Sequence, residues 1–228
     1  MTFALARVPL ARLARTPRGW LPVIGWAVLA IAVAVAARAR GTTTGADHVL
    51  RGSFPILVIP LLTYGMVSAV LGGAGMRSAI QGLVAIGALP RRAALAAVIV
   101  AVAASAVVCG VLAAVVCGLA HGAQDPPLGR DLVTSLWVSA LGGAAYAAYF
   151  CAGAAIGKGA ARGFFLAFDW IVGAGAGAGA LLTPRGHVVS LLGGRHVAEL
   201  SQRASSGMLV VLLLVFVLAS VGLTKRHG

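Results

Sequence analysis

Acidic residues are scarce in this chain of 228 residues: Asp and Glu together number 5 against 18 Lys and Arg, and charged residues of either sign make up only 10%. A water-soluble domain of that length needs a far larger polar surface, so the deficit excludes one. Cysteine is nearly as rare. Cys109, Cys117 and Cys151 each stand inside an apolar run with no His at metal-ligand spacing, which argues against a disulfide framework or a zinc centre and leaves three small packing residues. Catalytic signatures are missing too. The absence of Gly-x-Ser-x-Gly, of His-Glu-x-x-His and of paired acids within one apolar run argues against an intramembrane protease or lipid transferase. His48, His121, His187, His196 and His227 fall in loops or at the end, where solvation is their default. Gly153, Gly157 and Lys158 imitate a phosphate loop, but the glycines are one residue too close and Gly159 stands where Ser or Thr would hold a metal. No nucleotide site, cofactor or catalytic centre is expected.

What the chain does have is apolar length. Sixty per cent of its residues are hydrophobic, and they cluster into runs that predict an all-α, polytopic membrane protein, one transmembrane domain over 1–228 with six spans at about 20–37, 54–74, 93–120, 132–156, 164–182 and 208–223. The third run would be about 42 Å long as a helix, longer than the hydrocarbon core, so it must tilt or project. The net charge of +13 then has its simplest explanation in topology and anionic headgroups, not in nucleic acid. Residues 4–18 mix Arg7, Arg12, Arg15 and Arg18 with Leu5, Val8, Leu10 and Leu13, which predicts an interfacial helix before the first span; a cleaved signal peptide is the rival. With a cytoplasmic amino terminus, the inner side takes Arg7, Arg12, Arg15, Arg18, Arg77, Arg91, Arg92, Lys158, Arg162, Lys225 and Arg226. The outer side takes the smaller set of Arg38, Arg40, Arg51, Arg130, Arg185, Arg195 and Arg203, so both termini are expected inside.

Asp169 sits in the most costly place, between Phe168 and Trp170 in the fifth run. It is either a pathway or gating carboxylate, or a packing residue about 8 Å inside the inner edge that pairs with Lys158 or Arg162. Gly173, Gly175, Gly177 and Gly179 predict a smooth helix face for close packing, since a lone strand would leave backbone groups unsatisfied in lipid. The outer loop 183–206 alternates apolar residues with His187, Arg195, His196, Glu199 and Arg203 about a Gly193-Gly194 break, which predicts a partly re-entrant or interfacial hairpin.

The organising stretch is 75–92. Met76, Ile80, Leu83, Val84 and Gly87 recur at helical spacing, Arg77, Ser78 and Gln81 take other faces, and Leu89-Pro90-Arg91-Arg92 breaks the helix before the third span. This pattern resembles the coupling segment of type-2 ABC transporter permeases, with Met76 where that family often carries an acid. The short external helices of that family fall where the 183–206 loop lies. The resemblance implies an ATPase-coupling role for Arg77, Gln81, Leu89, Pro90, Arg91 and Arg92. It further implies a separate cytoplasmic ATPase subunit, a second permease copy or paralogue as dimer partner, and export of an apolar or amphipathic cargo across a bacterial inner membrane. The alternatives are an ion-coupled secondary transporter, and a non-transporting assembly or immunity protein.

Overall fold

A computed structural model describes the whole chain except residues 1, 16, 158, 176 and 225–228 and the side chains of 2–4, 17 and 18. Lys158, Lys225, Arg226 and His227 therefore lie outside the described residues, as does the Arg18 side chain. Among the described residues every element is helical and there is no strand. Five stretches are long and apolar enough to cross a membrane: Gly19–Ala39, Gly45–Ala85, Pro90–Ala120, Leu128–Ile156 and Gln202–Leu223. This is the make-up of a multi-pass membrane protein.

The amino-terminal helices α1 (Thr2–Arg15) and α2 (Pro17–Ala39) are tied together, because the Trp20 indole donates to the Leu13 carbonyl at 2.8 Å. After the short α3 (Gly45–Arg51) the chain makes a π turn, Phe54–Val58, before α4 (Ile59–Leu71). Pro60 is the physical cause. In a regular helix residue 60 would donate its amide to the Ile56 carbonyl, and proline has no amide hydrogen to give. That carbonyl accepts instead from the Trp170 indole at 3.2 Å.

Helix α5 (Met76–Ala85) follows, then the two long helices α6 (Pro90–Ala120) and α7 (Leu128–Ile156), which form the centre of the bundle. They approach closely because Gly143 has no side chain: a Cβ there would stand 2.8 Å from both Cys109 Sγ and the Ser105 carbonyl. On the same helix Tyr146 and Phe150 are fully buried, with ring contacts from Tyr64 to Phe150 at 5.5 Å and from Tyr149 to Phe216 at 5.0 Å. All three cysteines are free and buried.

The helix expected over 164–182 is the main correction. Helix α8 (Ala160–Val172) starts earlier and stops at Gly173; a single 3-10 turn, Ala178–Leu182, and then α9 (Pro184–Leu191) complete the passage. The glycines are the reason, each costing about 1 kcal/mol in a helix interior, and Pro184 can only begin a new helix. Gly173, Gly175, Gly177 and Gly179 thus lie in the break and do not share a helix face. At Gly173 a side chain would run into the Asp169 carbonyl, Thr183 Oγ1 and Arg185 Cβ, so the glycine serves a tight turn inside the chain. The outer loop also differs in its second half. The last helix, α10 (Gln202–Leu223), begins six residues before the expected start at 208, because Ser201 caps it by accepting from the Ala204 amide at 3.3 Å.

Candidate functional site

Two sites stand out, one at the α5 end of the bundle and one at the α8–α9 break. Helix α5 buries Met76, Ala79, Ile80 and Leu83 and leaves Arg77, Ser78 and Gln81 exposed. Gly75 and Gly87, at φ of 94° and 90°, make the left-handed turns that free it from α4 and α6. Leu89 is extended, as a residue before proline must be, and Pro90 takes the first position of α6. Leu89, Pro90, Arg91 and Arg92 are all exposed, and Ile86 beside them is 78% exposed. Arg77, Arg91 and Arg92 sit in the first turns of α5 and α6, and those turns contain no acidic residue. Cations at helix amino termini oppose the macrodipole by about 0.3–1 kcal/mol each, so this end is built electropositive at a cost in stability.

Beside α5 opens a groove of about 590 Å³ between Arg77, Gln81, Val84 and Pro90 on one side and the last turn of α7, Ala154 to Gly157, on the other. From behind, Arg12 of α1 donates to the Ala79 carbonyl at 3.1 Å and to that of Val70 at 3.4 Å. The amino-terminal helix therefore braces the same element.

Asp169 is fully buried; of the two partners expected for it, Lys158 lies outside the described residues and Arg162 is engaged elsewhere. Because α8 begins at Ala160, Asp169 lies about 14 Å along it, beside Tyr146, which lies about 15 Å from the end of α7. Arg162 does not pair with it; its guanidinium donates to the Gly72 carbonyl at 2.6 Å and to Ser68 Oγ at 3.2 Å. The Asp169 carboxylate accepts instead from the Tyr146 hydroxyl at 2.8 Å and from the Arg185 amide at 3.2 Å. The Arg185 guanidinium reaches back to the Trp170 carbonyl at 2.8 Å. Each half of the broken passage thus satisfies the other: the acid faces the amino end of α9, and the cation caps the carboxyl end of α8.

Tyr146, Arg162, Trp170 and Arg185 were not legible as site residues from spacing alone. The available signal was a lone Arg or aromatic in an otherwise small apolar stretch, and it does not name a partner. Among the described residues no group of three or more His, Cys, Asp or Glu side chains is placed to hold a metal. No protein-family model matches this chain, and no curated protein matches it.

Proposed function

We propose that this chain is the membrane-embedded permease subunit of an ATP-driven exporter in a bacterial inner membrane. It crosses the bilayer six times with α5 facing the cytoplasm and counts the broken α8–α9 passage as its fifth crossing. The observation that carries this reading is α5 itself, a short amphipathic helix released by glycine at both ends and flanked by exposed Leu89, Pro90, Arg91 and Arg92. A separate cytoplasmic ATPase would grip its polar face and the adjoining groove. Movement of α5 would pass to α8 through Arg162, whose guanidinium holds the Gly72 carbonyl just before α5 begins, and from α8 to the break at Asp169. A second copy or a paralogue would complete the transport path, with an apolar or amphipathic cargo moving along surfaces in the membrane. The test is co-expression with a candidate ABC-type ATPase from the same genome: the chain should bring the ATPase down, and Arg77→Glu or Pro90→Ala should weaken capture or ATPase stimulation while membrane insertion stays normal.

A second reading, an ion-coupled carrier, has one observation in its favour. Asp169 lies beside a helix break, and such carriers build their ion sites at broken helices. Against it, both carboxylate oxygens already have donors within the chain. Uptake driven by an ion gradient without ATP, lost in Asp169→Asn, would favour the carrier over the exporter.

A further inference from the structure

At the end of the bundle opposite α5, a cavity of about 120 Å³ lies between Ile56 of the π turn, the glycines of the α8–α9 break and the loop that leads to α10. Its charged lining is basic: Arg185, Arg195 and His196 come from two segments that the fold brings together. We propose that this cavity binds the phosphate group of an anionic lipid-like amphipath from the half of the bilayer away from α5.

Three observations carry the assignment. The first is charge. The described lining holds two guanidinium groups and no acid, and Asp169, which accepts from the Arg185 amide, is fully buried and also engaged by the Tyr146 hydroxyl. Arg185 uses one N–H on the Trp170 carbonyl and keeps the rest of its five-donor fork. Arginine forks match phosphate oxygens in pairs, which lysine does not.

The second is size. About 120 Å³ is roughly the liquid volume of four water molecules. A tetrahedral oxyanion fits in that space. Gly175 lines the cavity with no side chain within 4 Å of its Cβ position, so an oxyanion can approach the backbone there.

The third is the rim. Leu57 follows the lining residue Ile56 and is 36% exposed; Ile171, two residues before Gly173, is 78% exposed; and Leu182 is 60% exposed. A basic pocket with an apolar border suits a molecule that carries a phosphate on hydrocarbon chains, by the logic that basic pockets between membrane helices collect lipid headgroups. The loop is also held in an uncommon shape. Ala198 and Glu199, directly after Arg195, His196 and Val197, take left-handed φ of 46° and 57°, the only non-glycine residues described that do so. They fold the loop back so that Val197 is buried against Gly186 beside the cavity.

Binding needs no ATPase, so it stands or falls apart from the exporter reading. The test is equilibrium binding of a fluorescent short-chain phosphatidic acid to the purified full chain in a neutral detergent, with short-chain phosphatidylcholine and inorganic phosphate as competitors. Arg195→Gln is the test variant, and Arg203→Gln is the control of equal charge that does not line the cavity. The expected result is phosphatidic acid bound at least about tenfold more tightly than phosphatidylcholine, a loss of roughly tenfold in Arg195→Gln, and less than about twofold in Arg203→Gln. Displacement by inorganic phosphate should require a large excess. Equal losses in the two variants would show general surface charge and overturn the site. So would equal affinity for phosphatidylcholine, and inorganic phosphate competing as well as the lipid would move the site to a soluble anion.

Discussion

The Arg162 guanidinium donates to the carbonyl of Gly72 at 2.6 Å and to Ser68 Oγ at 3.2 Å, so the first turn of α8 is fastened to the last turn of α4, directly before α5. Arg162 is 2% exposed and lies 5.8 Å from the centre of the Tyr64 ring. A helix carboxyl end leaves carbonyls without donors, and a buried cation is the strongest available answer. Through its first turn α8 thus meets the chain just before α5, and through Asp169 and Trp170 it meets α9.

Arg162→Gln should lower stability by about 3 kcal/mol, because charge-assisted hydrogen bonds are lost at a buried carbonyl. Arg162→Lys should recover only part, since the ammonium keeps the charge without the fork. Melting followed with a thiol-reactive dye suits this chain, whose three cysteines are all free and buried. A melting temperature equal to that of the parent protein would remove the clamp.

Tyr146 and Asp169 should prove coupled. Tyr146→Phe removes one of the two donors seen on a buried carboxylate, and Asp169→Ala leaves a buried hydroxyl without its acceptor, each costing about 1–3 kcal/mol. Asp169→Asn keeps an acceptor oxygen and should cost less. In a double-mutant cycle the Tyr146–Asp169 pair should show a coupling above about 0.5 kcal/mol; additive effects would mean that the hydrogen bond contributes nothing to the fold.

Close packing of α6 on α7 gives a third prediction. Gly143→Ala forces a Cβ into Cys109 Sγ and the Ser105 carbonyl and should destabilise by about 1–3 kcal/mol. Gly129→Ala, on the same helix with nothing within 4 Å of its Cβ, should be neutral or stabilising by up to about 1 kcal/mol. Equal melting of the two variants would contradict the packing described.

Much of this architecture is written in local pattern. The apolar runs, the amphipathic spacing of Met76, Ile80 and Leu83, and the Leu89-Pro90 break depend on near neighbours, and the chain folds there as those neighbours dictate. What pattern does not contain is which long-range partner meets a side chain. The helix that carries Asp169 begins at Ala160, before the expected start at Phe164, within a stretch of Gly and Ala that carries no strong start signal. Its donors, Tyr146 and the Arg185 amide, are 23 and 16 residues away. The Gly173 to Gly179 run misled for a related reason: small residues favour both close helix packing and chain breaks, and the outcome was decided by the Asp169 and Arg185 contacts across the break.

The central claim is that another molecule drives this bundle through the exposed face of α5. The most direct measurement is the amount of a co-expressed candidate ABC-type ATPase retained by the purified chain, compared between the parent chain and Arg77→Glu at equal membrane insertion. The account predicts stoichiometric capture by the parent and a loss of about tenfold on charge reversal, equivalent to about 1.4 kcal/mol. No capture by the parent, or undiminished capture by Arg77→Glu, would contradict it.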